Sequence, residues 1–188
     1  FGDAQNDVSC ANEKSALWWG KATEVDTEIG LRFEPILQLL INGGNRYWLQ
    51  FPESRLAAII ALDQFSRNIY RDSPTAFSAD QLALNWCLSG IEAGLDKQLR
   101  PIERVFFYLP MEHAEDLSTQ QRCLWHFQQL MEVVPANHRE TFSGFLAFAE
   151  SHAAVIEKFG RFPHRNAILG RESTPEELKY LAQPGSGF

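Results

Sequence analysis

The run Leu56-Ala57-Ala58-Ile59-Ile60-Ala61 has almost no polar face. A helix that is apolar all round is a buried helix, so the rest of the chain must supply the elements that enclose it. The same stretch continues directly into Leu62-Asp63-Gln64-Phe65-Ser66-Arg67-Asn68-Ile69-Tyr70-Arg71. Asp63, Arg67 and Arg71 recur every four residues, a spacing that stacks side chains along one helical face. Charged groups at the end of a central helix require partners, because burying them alone is costly.

The surrounding elements read as further helices. No run of alternating β-branched residues bounded by turn signals occurs, so no strand is expected. Asp3 to Asn12 reads as polar loop, and Lys14 to Gly20 as a short helix. Thr23 to Ile41 carries Ile29, Phe33, Ile36, Leu37 and Leu40 at the helical period, with Pro35 as a kink or break. The apolar helix starts near Pro52 and ends near Tyr70. Ser73 and Pro74 fit the N-cap and first position of the next helix, which runs to about Ala93. Another opens at Pro101 and is interrupted at Pro110. Leu117 to Val134 and His138 to Phe159 are amphipathic helices, and Gly160 and Pro163 stop the second. Thr174-Pro175-Glu176-Glu177 is a capping-box pattern that opens a last helix to about Ala182. The expected fold is therefore all-α, residues 1–188 forming a single domain. Antiparallel helical hairpins would stack as a superhelix or close into a compact α-bundle. No sequence repeat near 34 residues is visible.

Charge limits the function. The chain carries 17 basic and 24 acidic residues, a net charge of −7. Long-range repulsion from phosphate argues against nucleic acid as a partner, and against an anionic membrane surface. No stretch reaches the ~18 apolar residues that span a bilayer. Cys10, Cys87 and Cys123 are far apart and show no zinc spacing, as reduced thiols in a cytoplasmic protein would. No signal peptide is visible. No metalloprotease, phosphate-loop, nucleophile-elbow or dinucleotide motif occurs, so neither a cofactor nor a metal site is expected. Glu112, His113, Glu115 and Asp116 could offer a metal at most two convergent donors, since neighbours on a helix diverge by about 100°. His152 reads as a hydrogen-bonded packing residue, His126 and His138 as surface or edge residues, and the Trp18-Trp19 pair and Trp48 as core.

Polar residues gather in three knots. The first is Asp63, Arg67, Asn68 and Arg71. The second is Glu112, His113, Glu115 and Asp116, with Gln120 one turn on. The third is Arg161, His164, Arg165 and Asn166, followed by Arg171. From Lys158 to Arg171 there are four basic residues and no acidic one, so the third knot complements the second. In a structural reading the knots neutralise one another, with Arg67 or Arg165 forking onto Glu112 or Asp116. In a functional reading they line one cleft. There the arginines bind a phosphate or carboxylate, and His113 or His164 beside Glu112 serves as acid or base.

The three knots also carry a resemblance. Leu62 to Arg71, Leu109-Pro110-Met111-Glu112-His113-Ala114-Glu115-Asp116-Leu117 and Phe159-Gly160-Arg161-Phe162-Pro163-His164-Arg165-Asn166 resemble the signatures of a bacterial domain-of-unknown-function family, number 924. The Phe1-Gly2-Asp3 start and Leu169 to Thr174 fit it as well. The resemblance implies an all-helical, tetratricopeptide-like superhelix and supplies no activity. Ser66 stands where that family usually has proline. The Phe-Trp residues that usually precede Phe1-Gly2 are missing, which suggests a trimmed N-terminus. Three functions are compatible with these residues. The first is a module that binds a small anionic ligand or peptide carboxylate in a groove lined by Arg67, Arg71, Arg161, Arg165 and Arg171, and it requires those groups to converge. The second is a protein-interaction scaffold whose arginines are saturated by Asp63, Glu112, Glu115 and Asp116. The third is a hydrolase-like enzyme with His113 or His164 as acid-base residue and Glu112 orienting it.

Overall fold

A computed structural model describes residues 1–2 and 6–187 of the chain. All its regular elements are helical, and no strand occurs among the described residues. The α-helices are α1 (Asp7–Trp19), α2 (Thr23–Ile41), α3 (Pro52–Ile60), α4 (Ser66–Ile69), α5 (Asp80–Glu92), α6 (Pro101–Glu112), α7 (Leu117–Val133), α8 (Arg139–Phe159) and α9 (Pro175–Leu181). Short 3-10 turns link several of them, and α7 and α8 pack together as a helical hairpin across the turn Ala136–His138. This pairing of consecutive helices is compatible with a tetratricopeptide-like stack.

The central helix is α6. Every residue from Val105 to Glu112 is buried, and α6 packs against α1, α3, α5, α7 and α8. The apolar run in α3 is nearly as enclosed, with Leu56, Ala58 and Ile59 buried, although Ala57 is exposed. Pro110 does not interrupt α6 as expected. Its missing N–H removes one hydrogen bond, but the helix ends two residues later at Glu112 and packing on all sides holds that last turn. Pro35 likewise lies inside a continuous α2. The N-terminal region also differs from the sequence reading. Helix α1 begins at Asp7, capped by the Asn6 side chain accepting from the Ser9 N–H at 2.9 Å. Part of the expected loop, Asp3 to Gln5, lies outside the described residues.

Between α3 and α4 the backbone widens into a π-helical turn, Ala61–Phe65. Such turns displace carbonyls from the regular ladder and are frequent at functional sites. Two side chains take up the carbonyls here. Ser66 Oγ donates to Leu62 O at 2.5 Å, and Arg67 Nη1 donates to Asp63 O at 2.6 Å. The helix continues through Ser66, as a serine permits, but ends at Ile69. Asp63 and Arg67 therefore share a face, 3.4 Å apart, whereas Arg71 lies beyond the helix. Ser73 caps the 3-10 turn Pro74–Phe77 and not a long helix; α5 starts only at Asp80.

Arg55 ties three segments together. Its guanidinium donates to Leu49 O at 2.8 Å through Nε, to Trp86 O at 2.7 Å and to Ser89 Oγ at 2.9 Å. At Gly90 an added Cβ would lie 2.6 Å from Phe107 Cζ and 2.8 Å from Arg55 Cδ. Only glycine admits this close approach of α5 to α3 and α6.

The C-terminal helix docks through a second, small apolar cluster of Val155, Ile156 and Phe162 with Phe159 and Tyr180. It is also locked electrostatically. Arg161 forks onto the Glu177 carboxylate at 2.7 and 2.8 Å, and Thr174 and Glu177 form the expected capping box. The hydrogen bonds from Arg161 hold the Glu177 carboxyl down to about 2. A carboxylate with a depressed pKa stabilises the fold above its ordinary range, about 4.3 for Glu, and that contribution is lost as the pH falls toward 2. Glu177→Gln is therefore expected to speed hydrogen exchange in α9 at neutral pH. The difference from the wild type should shrink between about pH 5 and pH 2. A difference independent of pH would contradict the ionic lock.

Candidate functional site

The polar residues converge where the π turn, the start of α5, the end of α6, the middle of α8 and the 3-10 turn Pro163–Arg165 meet. Asp63, 1% exposed, accepts a hydrogen bond from His113 Nδ1 at 2.7 Å and one from Gln64 at 2.5 Å. Burial alone would raise the Asp63 carboxyl. The charges of His113 and Arg67 and the two hydrogen bonds outweigh it, so the group stays ionised, well below the carboxylate range. With an ionised acceptor on Nδ1, His113 carries its proton there and its lone pair on Nε2. Burial lowers the His113 pKa despite the pull of Asp63.

Arg67 does not fork onto Glu112 or Asp116. Its partner is Asp80, the first residue of α5, with Nη1–Oδ1 2.8 Å and Nη2–Oδ2 2.9 Å. Arg165 reaches the same carboxylate more loosely, Nη1–Oδ2 3.5 Å. Its guanidinium lies between two rings, 4.9 Å from the Phe77 centroid and 4.5 Å from that of Phe162. The residue is 6% exposed, and its Nε is buried with no hydrogen-bond partner among the described residues. Burial, then the charge of Arg67, lowers its pKa to about 10.

Glu112 and His152 are buried side by side. His152 Nδ1 lies 3.3 Å from Glu112 Oε1 and donates to Phe148 O, 2.9 Å away. Burial, with the Asp63 charge nearby, pushes Glu112 up to about 8, and burial and the charge of His113 push His152 down to about 3. His164 is half-buried, its pKa lowered to about 4 by burial and by Arg165. One donor atom from each of Glu112, His113 and His152 lies within 4.8 Å of the others.

The remaining sequence candidates are engaged elsewhere. Arg71 and Asn68 hold Asp26 of α2, at 2.5 Å through Arg71 Nε and 2.8 Å through Asn68 Nδ2. Arg171 forks onto Glu115 at 2.6 and 3.0 Å and donates through Nε to Asn166 at 3.0 Å, and Glu115 also accepts from the Phe162 N–H at 2.7 Å. This is the complementarity of the second and third knots. Arg161 is spent on Glu177. Asp116 caps α7, accepting from the Thr119 N–H at 2.8 Å. Gln120 is fully buried and donates to Glu112 O at 2.6 Å. His126 is buried and not at the surface as expected; its ring lies 5.0 Å from Tyr108.

Sequence reasoning missed Asp80, because an acid in a first helical turn looks like an ordinary complement to the helix dipole. It missed Asp26 and Glu177 as arginine partners for a similar reason, whereas His152 is buried and hydrogen-bonded to Phe148 O, as expected of a packing residue. The spacing of His152 from Phe148 was the one local signal for its ring orientation.

The chain matches the family model described as bacterial protein of unknown function (DUF924) over residues 2–185. The chain belongs to this family. A similar solved structure is that of the protein of unknown function ATU0120 from Agrobacterium tumefaciens, 34% identical, with a TM-score of 0.79 over 94% of this chain and 99% of that one. No curated protein matches the chain. Among the described residues no helix is long and apolar enough to cross a membrane.

Proposed function

We propose that this DUF924 protein binds a small anionic group, a phosphate or a carboxylate, at Arg165, flanked by Arg67 and His113. The observation that carries the reading is the buried Arg165 Nε, an N–H donor with no partner among the described residues. A buried donor without an acceptor costs about 1–3 kcal/mol, and an anion would recover it. The two rings pre-orient the guanidinium, so less freedom is lost on binding. Arg71, Arg161 and Arg171, which the sequence also nominates for the groove, serve instead as internal cross-links in this reading. The rim formed by Arg67, Asp80 and His113 is partly open to solvent, at 20%, 23% and 15% side-chain exposure.

The test is thermal unfolding with inorganic phosphate, sugar phosphates and small carboxylic acids. A ligand present at a hundredfold excess over Kd stabilises by about 2.7 kcal/mol, which for a chain of this size raises Tm by about 5–10 °C. One anion class should give such a shift, and Arg165→Gln should abolish it. A flat screen, or a shift retained in Arg165→Gln, would refute the assignment.

A second reading, acid–base catalysis, is favoured by the 2.7 Å bond between Asp63 and His113. It leaves His113 Nε2 as the base and makes Asp63, not Glu112, the orienting carboxylate. Its test is turnover of simple phosphate and carboxylic esters, which His113→Gln should lower at least a hundredfold. Equal rates in the two proteins would eliminate it.

A further inference from the structure

We propose that Glu112, His113 and His152 form a binding site for one divalent transition-metal ion, zinc or a close chemical neighbour. The donors come from the last residue of α6, its C-cap and the middle of α8, and all lie within 4.8 Å of one another. Two donors each about 2.1 Å from a shared zinc ion sit roughly 3.4 Å apart when tetrahedral. A side-chain adjustment of about an ångström therefore closes the set, and two imidazoles with one carboxylate are a donor set that suits zinc or iron.

Two further observations point the same way. The first is the orientation of the His113 ring. It gives its Nδ1–H to Asp63 at 2.7 Å and so carries its lone pair on Nε2, while His152 turns Nδ1 toward Glu112 Oε1, 3.3 Å away. A metal-bound histidine almost always donates its other ring N–H in this way, to a carboxylate or a backbone carbonyl. The second is Glu112. It is 4% exposed, yet among the described residues no arginine or lysine pairs with it. A buried carboxylate of that kind is stabilised by a cation.

The electrostatic setting admits a dication. The site is at the carbonyl end of α6, where the helix dipole favours positive charge. The guanidinium charges of Arg67 and Arg165 nearby are offset by Asp63 and Asp80. Three protein donors leave at least one coordination position for water or another small ligand. The site does not depend on an anion binding at Arg165 and is tested with the metal alone.

The test begins with the full chain stripped by a chelator. It is titrated with Co2+ under visible absorption and with Zn2+ against a chromophoric chelator. One equivalent of Co2+ should produce saturating ligand-field bands that Zn2+ abolishes. His152→Gln and His113→Gln should each weaken Zn2+ binding more than tenfold. Asp63→Asn, which positions His113 without touching the metal, should weaken binding by about 10–100-fold and alter the Co2+ bands while keeping one equivalent. His138→Gln, on the turn before α8, should change nothing. Absence of the bands in the wild type would overturn the site. So would unchanged Zn2+ affinity in the folded double variant His113→Gln/His152→Gln. Should that variant not fold, X-ray absorption of the zinc-loaded wild type decides: two imidazole ligands are expected, and a shell without imidazole overturns the proposal.

Discussion

Replacing Arg67 by alanine is expected to lower folding stability by about 3 kcal/mol, toward the lower end of the cost of breaking a buried ion pair. The guanidinium is shared between Asp80, at 2.8 and 2.9 Å, and the main-chain carbonyl of Asp63 at 2.6 Å. Its removal strands Asp63, 1% exposed, with one cation fewer, and takes the shorter of two side-chain donors from the Asp63 carbonyl in the π turn, leaving Ser66 Oγ at 3.3 Å. The 20% exposure of the Arg67 side chain tempers the loss. Arg67→Lys should recover only part of it, because an ammonium cannot reproduce the bidentate fork. Urea unfolding of the wild type, Arg67→Ala, Asp80→Ala and the double variant would isolate the pair. A coupling energy under about 0.5 kcal/mol would show the two residues to be independent.

Arg55→Ala is expected to cost about 2–4 kcal/mol, for a different reason. Arg55 is 7% exposed and forms no salt bridge among the described residues; its donors go to Leu49 O, Trp86 O and Ser89 Oγ. Truncation strips two donors from Leu49 O and one each from Trp86 O and Ser89 Oγ, at about 1–3 kcal/mol for a group left unsatisfied, and removes the stem that packs over Gly90. Arg55→Lys should not rescue it, since one ammonium cannot span acceptors on two segments. Thermal or urea unfolding measures the loss, and a change below about 1 kcal/mol would mean that these bonds are replaced by water.

The two variants mark what local sequence rules could and could not see. Helices α2, α7, α8 and α9 were legible because each has its apolar residues at the helical period and visible stop or cap residues. Gly160 sits at a φ of 69°, a left-handed conformation that glycine adopts without penalty, and ends α8 where the sequence indicates. Thr174 and Glu177 form the box that their spacing implies. The π turn was not legible, because nothing in Ala61 to Phe65 departs from an ordinary helical pattern. Pro110 misled, because packing around α6 outweighs the loss of one hydrogen bond.

The same limit applies to the site. Asp63 and Arg67 were found together because residues four apart on a helix are neighbours. The partners that decide the chemistry are distant in sequence. Asp80 joins Arg67 to Arg165, Asp26 occupies Arg71, Glu177 occupies Arg161, and His152 brings α8 to Glu112. Charge complementarity between the knots anticipated a different contact, Glu115 with Arg171. Which buried arginine donor lacks a partner among the described residues depends on all the pairings at once, and Arg165 Nε emerges only in the folded chain.

The most direct test of anion binding is the Arg165 Nε–H resonance in a 15N-labelled sample, identified by its loss in Arg165→Lys. Titration with inorganic phosphate, and separately with acetate, should shift that signal saturably for one of the two, leaving the Arg161 and Arg171 Nε–H signals in place. An Arg165 signal that stays fixed while those of Arg161 or Arg171 move would place the anion elsewhere and contradict the proposed site.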